Sequence, residues 1–111
     1  MTDKLVVLVT CRSAKEAERI ARRLVQARLA ACGNIVRSPV RSIYRWKEKI
    51  ESAREVLLVI KTSRRRFPEL QAAMKRLHSY EVPEIIALPI AAGSQSYLSW
   101  LADSVALRKK R

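Results

Sequence analysis

The chain is poor in the residues that loosen or cross-link a fold. Its 111 residues include two glycines, four prolines, two cysteines and one histidine, and aromatics make up 5%. So little glycine and proline leaves scant room for long flexible loops. Two cysteines are too few for a disulfide scaffold, and Met1–Lys4 does not open an apolar leader, so the default compartment is the cytoplasm. No run approaches the ~20 consecutive apolar residues of a membrane-spanning helix, so no membrane association is expected. One histidine and a nearby cysteine supply two ligands, where a tight zinc site takes about four. No nucleophile-elbow pattern surrounds any serine, which argues against Ser/His/Asp catalysis. Acidic residues are also scarce, 10 against 23 Lys+Arg, for a net charge of +13. That excess bears on solubility and nonspecific polyanion binding rather than on fold.

What remains is a folded domain. Hydrophobic residues make up 49% of the chain, too many for a disordered basic protein. The length suits one domain, expected over 1–107, with residues 108–111 as a disordered basic tail.

The Val-rich run from Lys4 to Thr10 reads as a central strand. Ser13 and Glu16 have capping-box spacing, each able to satisfy the other's backbone donor. Ala17, Ile20, Ala21, Leu24, Ala27 and Ala31 then share one helical face. A second strand begins at Cys32. From Val40 to Lys47 residues alternate, with Val40, Ser42, Tyr44 and Trp46 on one face. A turn near Lys47–Lys49 leads to a buried strand over Glu55–Ile60, forming a hairpin. Phe67, Leu70, Met74 and Leu77 recur at helical spacing. Val82–Ile90 reads as a fourth strand, with Pro89 placing it at a sheet edge. Tyr97, Leu98, Leu101 and Val105 make a short last helix.

The order β-α-β-β-α-β-α predicts an α+β, ferredoxin-like sandwich with an added C-terminal helix. In that topology Thr10 and Cys11 share one end with His78–Glu81. Cys32 lies at the other end, about 25 Å away along the first helix. A Cys11–Cys32 disulfide is therefore not expected, and Cys32 reads as a small buried hydrophobe.

Several segments together resemble the CutA family of divalent-cation-tolerance proteins. They are Leu29–Asn34, Ser42–Trp46, Lys49–Glu51, Glu55–Thr62, His78–Glu84, Ile85–Pro89 and Tyr97–Trp100. The resemblance implies a homotrimer of ferredoxin-like subunits, similar in architecture to PII signalling proteins. It also implies a role in tolerance of copper and other divalent metals, with no enzymatic activity. Some members bind copper through a first-strand Cys and a His pair before Pro-Tyr. Here those positions hold Val9, Leu77 and His78, and Ser79 stands where the family has Pro. The family's Trp-Glu-Gly-Lys turn is Trp46-Lys47-Glu48-Lys49, without its Gly.

The candidate metal ligands, for copper or zinc, are therefore His78 and Cys11, an imidazole and a thiol suited to such ions. Tyr44, Trp46, Lys49, Lys61, Tyr80, Glu81, Glu84 and Trp100 form an aromatic-charged set expected to line an intersubunit cleft for a small ligand. Apolar groups on the Tyr44/Trp46 face and open strand edges favour assembly. The rival reading is a basic nucleic-acid-binding ferredoxin-like module. The central strands contain none of the aromatics on which such sheets stack bases.

Overall fold

The computed structural model describes residues 2–107; the expected tail over 108–111 lies outside the described residues. The elements are β1 (Lys4–Cys11), α1 (Ala14–Gln26), β2 (Cys32–Trp46), β3 (Lys49–Ser63), α2 (Phe67–Leu77), β4 (Ile86–Pro89) and α3 (Gln95–Ser104). The sheet order is β2-β3-β1-β4, with every neighbouring pair antiparallel. This is the ferredoxin-like arrangement, and the apolar β1 and β3 take its two central places. β4 is an edge strand, as Pro89 requires, since a proline offers no N–H to a further neighbour.

Alternation along β1 and β3 gives the sheet two unlike faces. Leu5, Val7, Val9 and Cys11 of β1 join Val56, Leu58 and Ile60 of β3 in the main core. Ala17, Ile20 and Leu24 of α1 and Leu70, Ala73 and Met74 of α2 complete it. Fully burying each large aliphatic side chain here contributes about 1.5–3 kcal/mol. Gly33 lets α1 approach: a Cβ there would lie 2.9 Å from the Ala21 Cβ. The opposite face carries Val6, Leu8, Leu57 and Val59, all only half-buried. Ile86 and Leu88 of β4, paired with Leu8 and Val6, are about half exposed. α3 covers one end, where Leu101 and Val105 bury Ala31 against Ile90.

Several boundaries differ from expectation. α1 stops at Gln26 because Arg28 takes a left-handed conformation, φ 60°, and Ala27 is left exposed. Ala31 consequently packs against α3 rather than along the α1 core stripe. β2 and β3 each run 15 residues, longer than the apolar segments indicated. Their ladder is broken only by an irregularity between Val36 and Val40. Sheet pairing, not burial, holds the outer half of this hairpin together, since residues 43–52 are all exposed. The turn is two residues, Lys47 and Glu48, both left-handed with φ 49° and 72°. Such a turn matches strand twist but costs about 1–2 kcal/mol per non-glycine residue. β4 is only four residues, because the chain over Val82–Ile85 runs outside the sheet.

Candidate functional site

Along the arm of the hairpin lies a groove of about 950 Å³. β2 contributes Ser42, Tyr44 and Trp46 to it, β3 contributes Ala53 and Glu55, and β1 contributes Thr10. The far wall is the segment after α2, Ser79 through Glu84. The alternation read from Ser42 to Trp46 therefore does place one row of side chains together. Among the described residues, the lining includes three carboxylates, Glu55, Glu81 and Glu84, and no lysine or arginine.

A chain of hydrogen bonds holds the far wall in place. Glu55 is only 7% exposed, and its Oε2 accepts the Tyr80 hydroxyl at 2.7 Å. Burial, reinforced by that carboxylate, raises the Tyr80 phenol above its ordinary value. The Tyr80 N–H donates to Nδ1 of His78 at 3.0 Å. With Nδ1 accepting, the other ring nitrogen carries the proton, and Nε2 donates to the Thr10 carbonyl at 2.9 Å. The two rings stack obliquely, 4.6 Å between centroids.

Glu16 anchors the same segment from α1. Ser13 caps the helix as expected, its Oγ accepting the Glu16 N–H at 3.1 Å. The reciprocal bond is displaced: Glu16 Oε1 takes the N–H of Arg12, at 3.3 Å, rather than that of Ser13. Its other oxygen is thereby free to accept the Ser79 N–H at 3.1 Å. Burial would raise this carboxyl, but the hydrogen bonds from Ser79 and Arg12 outweigh it and hold it low.

Cys11, Glu16 and His78 form one buried cluster, each offering a ligand atom within 4.8 Å of the others. The expected pairing of Cys11 with His78 is thus met in space, with Glu16 as a third member. As a ligand set it is closed. Both imidazole nitrogens and both Glu16 oxygens are already hydrogen-bonded. Burial, with Glu16 and Glu55 nearby, pushes the Cys11 thiol up to about 12, so it is protonated at neutral pH. The residues as arranged fit a hydrogen-bonded junction better than a resident metal.

The expected cleft set divides. Tyr44, Trp46, Tyr80, Glu81 and Glu84 meet at the groove. Lys49 sits opposite Trp46 at the hairpin tip, outside it. Lys61 lies near the other end of β3, opposite Cys32, where its ammonium bonds the Asn34 side chain. Trp100 stacks on Tyr97 along α3, with centroids 5.3 Å apart. Sequence reasoning missed Glu16 and Glu55. For Glu16 the signal was its capping-box position. For Glu55 it was an acid heading the apolar run Val56–Ile60, where a buried charge demands a partner.

The model of the CutA1 divalent ion tolerance protein family matches residues 5–104. A divalent-cation tolerance protein CutA of Thermus thermophilus is 50% identical over 99 residues, 89% of this chain and 95% of the relative. The solved Thermus thermophilus divalent cation tolerance protein superposes with a TM-score of 0.89 at 48% identity, covering 93% of this chain and 99% of that one. The periplasmic divalent cation tolerance protein CutA of Archaeoglobus fulgidus superposes at 0.88 with 40% identity, over 92% and 98%.

Proposed function

The chain belongs to the CutA1 divalent ion tolerance family, and from that premise we propose that it acts as a homotrimer meeting a divalent ion, or a small ligand, at the groove along the hairpin. It does so without catalysis. The observation that supports this most is the acidic, aromatic-walled groove in a chain of +13. Carboxylates gathered in one groove favour positive charge, and hard or borderline divalent ions take such oxygen donors. Assembly is supported by the open sheet face. Val6, Leu8, Leu57 and Val59, flanked by the exposed Ile86 and Leu88, form a contiguous apolar face of the kind that marks an interaction surface. The unpaired edges of β2 and β4 point the same way. The PII-like likeness belongs to the same trimeric reading.

A second reading places a copper or zinc ion on Cys11 and His78 at the buried cluster, favoured by its 4.8 Å compactness. It requires the Cys11 proton to leave and Tyr80 to release Nδ1.

Calorimetric titration with Cu²⁺ and Zn²⁺ separates these readings. Saturable binding should weaken at least tenfold in Glu81→Gln/Glu84→Gln. It should be unchanged in Cys11→Ser/His78→Gln. The reverse pattern moves the ion to the buried cluster, and no heat from either metal sinks both. Light scattering should give about 38 kDa, three chains of 12.7 kDa. A monomer would defeat the assembly reading.

A further inference from the structure

Six of the chain's 23 lysines and arginines lie where neither the groove nor the open sheet face does. Lys15, Arg19, Arg22 and Arg23 of α1 and Lys75 and Arg76 of α2 are all exposed on the outer surface of the helical layer. The two helices meet there. An Arg19 N–H donates to the Leu77 carbonyl at 3.1 Å, which brings the α1 array beside the last turn of α2. The exposed acids of these helices are already engaged: Glu18 pairs with Arg22 at 3.3 Å, and Glu69 with the buried Arg66 at 2.9 Å. Among the described residues, Lys15, Arg23, Lys75 and Arg76 make no ion pair.

We propose that this helical surface binds double-stranded nucleic acid through its phosphate backbone. The chemistry favours phosphate, because four of the six cations are arginines, whose planar forks take phosphate oxygens bidentately. It favours a duplex over a single strand, because no aromatic side chain is exposed on either helix for base stacking. It disfavours membrane insertion, because Val25 is the only large hydrophobic residue exposed on α1 and α2. Contact through the backbone alone positions the duplex without reading its sequence. The surface is on the far side of the sheet from the face that assembly would cover, so the two uses do not compete.

The test uses the full chain and a fluorescently labelled duplex of about 25 base pairs, followed by anisotropy. Six phosphate contacts predict a loss of about a thousandfold in affinity between 50 and 200 mM salt. The variant Lys15→Gln/Arg23→Gln/Lys75→Gln/Arg76→Gln should lower the salt slope by about four. A control with Gln at Arg108, Lys109, Lys110 and Arg111 removes the same charge and should shift the slope by less than one. Circular dichroism and light scattering confirm that both variants keep the fold and mass. Equal losses in both variants overturn the proposal, since charge alone then explains binding. So does tighter binding to a single strand of the same sequence. Binding to vesicles of 70:30 phosphatidylcholine:phosphatidylserine with none to the duplex overturns it as well, as does no binding to the duplex at 50 mM salt.

Discussion

The two faces of one sheet are built from the same strands and residue types, yet they end in opposite states. On the helical side Val7, Val9, Leu58 and Ile60 are completely buried. On the other side their immediate neighbours Val6, Leu8, Leu57 and Val59 are only partly buried. The covered side turns charged helix surfaces to water, and the bare side remains apolar. Intrachain packing therefore uses only half of what the sheet offers, and the residual apolar face is the one the proposed assembly would cover.

The sharpest way to break this comparison is to cut one side chain on each face. Leu58→Ala should cost about 2–5 kcal/mol in denaturant unfolding, because it leaves a cavity in a closed core. Val59→Asp should instead leave the circular dichroism spectrum of the fold intact while the mass falls from about 38 kDa towards the 12.7 kDa of one chain. If Val59→Asp unfolds the chain as badly as Leu58→Ala, the open face belongs to the monomer core and the contrast fails.

A smaller effect tests how tightly the covered side is closed. Gly33→Ala places a methyl 2.9 Å from the Ala21 Cβ and 3.3 Å from Leu58 Cδ1. Both neighbours are held by α1 and β3, so the expected loss is about 1–3 kcal/mol by chemical denaturation. A neutral result would mean that α1 can slide on the sheet.

The least effect is in acid. Glu16 is held below its ordinary value in the fold, so its ionised form contributes stability above about pH 4.3, the value expected unfolded. That contribution disappears as pH falls through the lower folded value. Melting temperatures taken from pH 7 down to pH 3 should therefore drop more steeply for the wild type than for Glu16→Gln. Parallel curves would remove Glu16 as the clamp on Ser79.

Much of the fold was legible because burial in this chain follows simple periods. The apolar runs of β1 and β3, the stripe of α1 and the edge marked by Pro89 each depend on local pattern. The outer hairpin was less legible, because residues 43–52 are exposed and paired by backbone hydrogen bonds, which leave little trace in hydropathy. The short β4 was overread for the related reason that Val82 and Ile85 are apolar without being strand. At the site, the row Ser42, Tyr44 and Trp46 could be read from alternation. The split of Lys49, Lys61 and Trp100 away from it could not, since it depends on where a 15-residue strand ends in space.

By itself the sequence determined the element order, the placing of β1 and β3 in the middle of the sheet, and the convergence of Cys11 with His78. Local periodicity and the handedness of crossovers leave few alternatives for these. Only the tertiary structure decided that Glu16 faces Ser79, that both imidazole nitrogens of His78 are engaged, and that Glu55, Glu81 and Glu84 meet in one groove. Those outcomes depend on the direction in which individual polar atoms point across elements far apart in the chain. No pattern along the sequence carries that information.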